Sequence, residues 1–113
     1  MKIDVLANQF KALSEPVRLR ILYLLLEREE VCVCDLVKSL ELTQSVVSRH
    51  LAYLKNNDLI EARRDGTWVH YKIKQTQLEI ISQLLNQFLI YGRSSSELKN
   101  DLNQLGRTTS ECN

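Results

Sequence analysis

The chain has 113 residues, of which 44% are hydrophobic and 26% are charged, and its formal net charge at pH 7 is +1. This length predicts one domain with a modest core, and the balanced charge means that any nucleic-acid partner must be recognised by local charge. No apolar run approaches the roughly 18 residues of a membrane span, and the N-terminal residues lack the features of a signal peptide. We therefore expect a cytoplasmic globular protein without a membrane partner.

Regularly spaced apolar residues predict two helices in the first quarter of the chain. The first is expected from Val5 to Leu13, because apolar side chains recur at i, i+4 and i+7. The second has Ser14 as its expected N-cap and Pro16 in its first turn, and it continues to about Glu29. The stripe of the first helix that we expect to be buried is Leu6, Phe10 and Leu13.

A third helix is predicted from about Val33 to Leu40, and a pair of cysteines lies at its start. Cys32 falls near the N-cap and Cys34 lies in the first turn. Side chains at i and i+2 point about 200° apart on a regular helix, so the two sulfurs converge only where the helix start is open. The positive end of a helix favours the thiolate. Because cytosolic thiols stay reduced, the pair is a candidate site for a soft ion or for redox chemistry.

A fourth helix is predicted from about Gln44 to Asn57, after a three-residue turn that suits a helix-turn-helix. Thr43 is its expected N-cap, and an apolar stripe faces the core. The opposite face is small, polar and basic, which is the kind of surface that the major groove of DNA admits. The residues that we expect at the groove are Ser45, Ser48 and Arg49 near base edges, with Gln44 and Tyr53 at the margin.

Alternating apolar and polar residues after the fourth helix predict a β-hairpin. Asp65-Gly66 lies between two β-like runs and predicts a type I′ turn, whose two central residues both have positive φ. From Arg49 to Lys74 there are six basic and three acidic residues, so the local charge is positive. A hairpin after a helix-turn-helix is a wing, and we expect Arg63 and Arg64 near its tip to contact DNA phosphates.

A last helix of roughly 16 residues is predicted between a capping box at Thr76 and Glu79 and a stop at Gly92. Its apolar stripe exceeds what the core of so small a domain needs, so we expect it to form a homodimer interface together with the first helix. The stripe consists of Leu78, Ile80, Ile81, Leu84, Leu85, Phe88 and Leu89, joined by Val5, Leu6 and Phe10. Residues 93–113 are polar and are expected to form a weakly ordered tail after a domain of residues 1–92, with at most a turn near Leu98 and Leu102.

These elements predict a mainly α fold with a small β-hairpin, that is, a winged helix-turn-helix that dimerises through its first and last helices. Enzymatic activity is not expected. The sequence has no nucleophile elbow, no phosphate-binding glycine loop and no His–acid cluster around a hydroxyl.

Three stretches resemble the ArsR/SmtB family of dimeric winged-helix repressors. They are residues 13–22, 31–36 and 44–51, and the run Cys-Val-Cys-Asp-Leu from Cys32 to Leu36 is the most specific. The likeness covers roughly residues 4 to 92. It implies a transcriptional repressor that leaves its operator DNA when a thiophilic ion binds, and it places the cysteine run in the arsenite-responsive and cadmium- or lead-responsive branches.

The remaining residues narrow the choice of inducer. The cadmium/lead branch takes further cysteines from an N-terminal arm, but no cysteine precedes Cys32, and a zinc-type site on the last helix lacks histidine. Arsenite or antimonite, As(III) or Sb(III), is soft and three-coordinate, so two thiolates and a third ligand suffice. The third cysteine of the arsenite branch is replaced by Val37, which leaves Cys112 as the candidate third ligand.

Other interpretations of the cysteine pair stay open at this point. The two residues are alternatively small buried hydrophobes, a redox switch, or the thiols of a cadmium- or lead-responsive regulator. A winged helix that binds only protein is a further class. It predicts no salt-dependent affinity for DNA.

Overall fold

The structure is a computed structural model that describes residues 1–75 and 78–107. Along the chain the elements are α1 (Ile3–Leu13), α2 (Pro16–Glu27), β1 (Val31–Cys32), α3 (Val33–Leu40), α4 (Gln44–Asn56), β2 (Ile60–Asp65), β3 (Trp68–Ile73), α5 (Glu79–Gly92) and α6 (Ser96–Gly106). The predicted mainly α fold with a β-hairpin is confirmed. None of the helices in the described ranges is both long and apolar enough to cross a bilayer.

Helix α2 lies at the centre of the core. Five consecutive residues, Ile21 to Leu25, are buried, because α2 contacts α4, α5, α6 and strand β3 on different sides. Leu36 of α3, Leu51 of α4 and Ile81 of α5 complete the same cluster and are fully buried. Each such aliphatic side chain contributes about 1.5–3 kcal/mol by leaving water. The core therefore fixes α3 and α4 relative to α2.

The starts of the first two helices differ from the sequence prediction. Helix α1 begins two residues earlier, at Ile3, and α2 is capped by Glu15, whose Oε2 accepts a 2.9 Å hydrogen bond from the backbone N–H of Arg18. The predicted cap, Ser14, donates its hydroxyl to the Lys11 carbonyl at 2.8 Å instead. A carboxylate one residue further along satisfies the same free N–H groups of α2.

The predicted buried stripe of α1 is confirmed only in part. Leu6 and Leu13 are partly buried against the core, whereas Phe10 is 41% exposed and the buried residues of α1 are Gln9 and Ala12. Gln9 reaches the core because its Nε2 donates to the backbone carbonyl of Asn57 at 3.0 Å. Because Gln9 is polar, the apolar pattern of the sequence did not identify this face of α1 as buried.

The helix-turn-helix is formed by α3, residues 41–43 and α4, as predicted. Glu41 adopts the left-handed conformation with φ 55°, which ends α3 and reverses the chain. Thr43 then caps α4, since its hydroxyl accepts from the Val46 N–H at 3.4 Å. The predicted core residues of α4 are all buried, namely Val47, Leu51 and Leu54.

The hairpin belongs to a three-stranded antiparallel sheet in the order β1-β3-β2. Asp65 pairs with Trp68, so the turn is centred on Gly66 and Thr67 and not on Asp65 and Gly66 as predicted. Gly66 alone has positive φ, at 65°, which fits a type II′ turn with glycine first. The two-residue strand β1 was not predicted, because so short a strand leaves no periodic pattern.

Gly92 lies at the end of α5, but its role differs from the predicted left-handed stop. It lacks positive φ, and the next residue, Arg93, is helical. A β-carbon at residue 92 would come within 2.6 Å of the Tyr23 ring, so glycine is required for close packing of α5 on α2. Helix α5 begins at Glu79 with Leu78 at the N-cap position, and the predicted cap, Thr76, lies outside the described residues.

The C-terminal segment forms helix α6, where a weakly ordered tail was expected. Ser95 caps α6 by accepting from the Leu98 N–H at 3.2 Å, and Leu98 and Leu105 are buried. Asp101 is also buried, because it accepts two hydrogen bonds from Arg20, of 2.8 and 2.9 Å. The polar composition of this segment predicted that it would not fold. The partner of Asp101, Arg20, lies 81 residues away, so the local sequence does not show that this charge can be buried. Helix α6 packs on α2 and α3.

Candidate functional site

The two cysteines of the predicted pair lie together at the junction of β1 and α3. Their Sγ atoms are 3.5 Å apart. Cys32 is the N-cap residue, and its backbone is extended (φ −71°, ψ 145°). The separation of about 200° between side chains at i and i+2 applies only within a regular helix, so it does not keep Cys32 apart from Cys34. Cys32 is buried and Cys34 is half-buried. The open helix start that the sequence argument required is therefore present.

The two sulfur atoms are spaced so that both can bind the same soft ion. Bonds from thiolate sulfur to a metal ion are about 2.3 Å, and two such bonds that meet at about 100° span about 3.5 Å. Within residues 1–75 and 78–107, no cluster of three or more His, Cys, Asp or Glu side chains is arranged to hold a metal ion. Cys112, the candidate third ligand, lies outside the described residues.

The face of α4 that was predicted to approach DNA is open to solvent at most of its positions. Its exposed residues include Gln44, Ser45, Ser48 and Arg49. Tyr53 is half-buried against the core, and the guanidinium carbon of Arg18 lies 4.1 Å from the centre of its ring. This cation–π contact holds the C-terminal half of α4 against the start of α2.

Arg18 is the centre of a cluster that joins three helices. Its Nε donates to the Ala12 carbonyl at 2.8 Å, at the end of α1, and its Nη1 lies 3.3 Å from His50 Nδ1 on α4. The carboxylate of Glu15 is 3.6 Å from the same ring nitrogen. Burial lowers the pKa of His50 from its usual value, so the imidazole is neutral at pH 7. The local sequence does not reveal these contacts, since Ala12 and His50 lie on other elements.

The two wing arginines are exposed but differ in their partners. Arg63 forms a two-pronged ion pair with Glu30, with Nη2 and Nε donating to Oε1 and Oε2 at 2.5 and 3.2 Å. This pairing lowers the pKa of Glu30 and raises the pKa of Arg63. Arg64 is exposed on the other face of the same strand. The sequence did not reveal Glu30, because it lies 33 residues from Arg63.

Helices α1 and α5 both carry large apolar side chains on the surface of the protomer. The exposed ones are Ile3, Val5 and Phe10 of α1 and Ile80, Leu84, Ile90 and Tyr91 of α5. Ile81 and Leu85 belong to the predicted stripe but are buried within the protomer core. The apolar surface predicted for these two helices is therefore present, and on α5 it includes Ile80 and Leu84 of the predicted stripe together with Ile90 and Tyr91.

The α3–turn–α4 unit followed by the β2–β3 hairpin defines the chain as a winged helix-turn-helix transcriptional regulator. Residues 15–62 match the profile of the bacterial regulatory protein arsR family. The HTH-type transcriptional regulator MJ1325 of Methanocaldococcus jannaschii is 37% identical over 86 residues, which are 76% of this chain and 97% of that protein. The chain belongs to the ArsR family, whose members are transcriptional regulators and not enzymes.

Further relatives carry names that mention metalloids or metals. The arsenical resistance operon repressor of Escherichia coli is 47% identical over 57% of this chain, and the match spans about half of that protein (55%). The cadmium resistance regulator CadC homolog of Staphylococcus aureus is 33% identical over 81% of this chain and 74% of its own length.

Solved structures of similar proteins share this fold. The homodimeric winged helix-turn-helix domain Mb0332 of Mycobacterium bovis superposes with a TM-score of 0.68 at 31% identity, covering 80% of this chain and 81% of that one. The antimony-specific transcriptional repressor AntR superposes with a TM-score of 0.64 at 27% identity, covering 78% and 77%.

Proposed function

We propose that the protein is a homodimeric repressor that binds operator DNA and is released when arsenite or antimonite binds Cys32 and Cys34. The observation that carries this proposal is the 3.5 Å separation of the two Sγ atoms at an open helix start. A trivalent metalloid is soft and three-coordinate, so in the reduced protein it needs only one ligand beyond this pair. Cys112 is the candidate for that ligand.

The position of the pair supports coupling to DNA binding. Cys34 lies in the first turn of α3, and α3 packs against α4 and leads into it through residues 41–43. An ion bound by both sulfurs restrains this first turn, and because α3 packs against α4, the restraint extends to α4.

The surfaces of α4 and the wing support DNA as the partner. Ser45, Ser48 and Arg49 present small polar and basic groups to solvent, as base-edge contacts require. In a homodimer two such helices would address half-sites about 34 Å apart, so the operator is expected to be an inverted repeat. The homodimeric relative Mb0332 and the exposed apolar surfaces of α1 and α5 support the dimer.

The names of relatives support a metalloid inducer and also favour one alternative. The arsenical resistance repressor and the antimony-specific repressor agree with the two-sulfur site. The CadC homolog supports cadmium as a second candidate ion. Cadmium prefers about four ligands, however, and the described residues bring together only the two sulfurs.

The decisive experiment is a DNA-release titration of the reduced protein with arsenite, antimonite, cadmium, lead and zinc. We expect arsenite and antimonite to lower operator affinity by about 1.5 to 4 decades, since a coupling of about 1–3 kcal/mol per site acts twice in a dimer. Cys32→Ser and Cys34→Ser should bind the operator normally and lose this response. Cys112→Ser is the matched comparison, because it tests the third ligand while leaving the pair intact.

Three outcomes would contradict the proposal. If either serine variant at the pair is released by arsenite as the wild type is, the pair is not the inducer site. If peroxide releases the reduced protein and arsenite does not, the alternative of a redox-gated regulator replaces ours. Binding that is insensitive to salt would argue against DNA as the partner.

A further inference from the structure

One row of side chains connects the sulfur pair with the wing. In the sheet, Cys32 of β1 pairs with His70 of β3, and His70 pairs with Arg63 of β2. Residues that pair directly across an antiparallel sheet place their side chains on the same face. The three side chains therefore lie side by side on one face, although they come from three separate parts of the sequence.

Glu30 completes this row. It directly precedes β1, and its carboxylate makes the two-pronged contact with Arg63. The same carboxylate lies 3.8 Å from His70 Nδ1. Glu30 is therefore two residues from Cys32 along the chain, and its carboxylate binds the guanidinium of Arg63 in the wing.

The pairing sets up a competition. A guanidinium presents five N–H donors in one plane, and the edge formed by Nε and Nη2 fits either a carboxylate or a phosphate. While Glu30 occupies the Nε and Nη2 donors of Arg63, a DNA phosphate cannot bind at that edge. The side chain of Arg63 is 55% exposed, so it is accessible to DNA once its ion pair with Glu30 breaks.

We propose that Glu30 is a positioning residue that competes with a DNA phosphate for Arg63, and that loading of the sulfur pair favours the Glu30-bound state. The second half of this inference rests on the function proposed above. Strand β1 has only two residues, so little pairing holds it to β3. Sulfurs that share one ion restrain Cys32 at the end of β1, and this keeps Glu30 beside Arg63.

The test measures operator affinity for Glu30→Gln in two backgrounds, wild type and Arg63→Gln. Removing the competing carboxylate should tighten binding by roughly two- to fivefold per protomer, the range for an exposed ion pair. The gain should vanish when Arg63 is absent. Glu29→Gln is the matched control, since it removes the same charge from the neighbouring exposed residue. It should change affinity less than Glu30→Gln does.

Each outcome decides one part of the inference. If Glu30→Gln tightens binding equally with and without Arg63, the effect is general electrostatics and the competition is refuted. Arsenite should lower the operator affinity of Glu30→Gln by a smaller factor than it lowers the affinities of the wild type and Glu29→Gln, and equal factors would refute the link to the sulfur pair. A wild type that arsenite does not release would overturn the proposed function and the link to the sulfur pair, while the affinities without arsenite still decide the competition.

Discussion

The burial of His50 makes the stability of the fold depend on pH. It lies on α4 between Arg18 and Glu15, and burial lowers its pKa from the usual 6.5. The unfolded chain regains the usual value, so below about pH 6.5 it binds a proton that the folded chain resists. Protonation of His50 therefore favours unfolding. The stability that comes from the neutral, buried imidazole is lost as the pH falls below about 6.5.

We accordingly expect the melting temperature to fall between about pH 7.5 and about pH 5.5, and His50→Gln to reduce this decline. Glu30, whose pKa is lowered from 4.5, contributes only at more acidic pH, where its carboxylate is protonated. Thermal unfolding at both pH values measures the effect, with His70→Gln as the control that leaves His50 in place. Equal slopes for the wild type and His50→Gln would disprove this explanation.

At the scale of elements, the sequence predicts what depends on neighbours along the chain. The bounds of α3 and the Thr43 cap of α4 were predicted, because apolar spacing and capping chemistry are local. The convergence of Cys32 and Cys34 followed from the N-cap geometry for the same reason. Helix α6 was missed because Asp101 needs Arg20, and the Glu30–Arg63 pair was missed because the strand register brings it together.

Helix α6 should depend on its buried ion pair. Arg20 donates both to Asp101 and, at 3.1 Å, to the Leu40 carbonyl at the end of α3. We expect Asp101→Asn to lower the free energy of unfolding by about 2–3 kcal/mol, less than for a fully buried pair because Arg20 is 21% exposed. Urea unfolding measures this, and Glu97→Gln, an exposed charge on α6, should change it by at most about 0.5 kcal/mol. Similar losses for both variants would show that α6 does not depend on the pair.

At the scale of the whole molecule, the protomer core and the proposed dimer surface use adjacent residues of α5. Leu85 is 3% exposed and belongs to the core, whereas Leu84 is 41% exposed. The sequence could not separate the two, since both lie within one broad apolar stripe. The structure assigns Leu84, and not Leu85, to a surface that a second protomer can cover.

We therefore expect Leu84→Glu to give folded monomers, because a charge on the dimer surface is costly to bury. Leu85→Glu should instead unfold the protomer. Sedimentation and melting curves distinguish the two effects, and Asn86→Glu, on the opposite side of α5, should leave both the dimer and the fold unchanged. A stable dimer of Leu84→Glu would place the interface elsewhere.

The most direct test of the central claim is X-ray absorption at the arsenic edge of the reduced, arsenite-loaded protein. The account predicts arsenic–sulfur bonds that include both Cys32 and Cys34, with one sulfur lost in either serine variant. A spectrum with only oxygen around arsenic, or one unchanged in Cys32→Ser and Cys34→Ser, would contradict it.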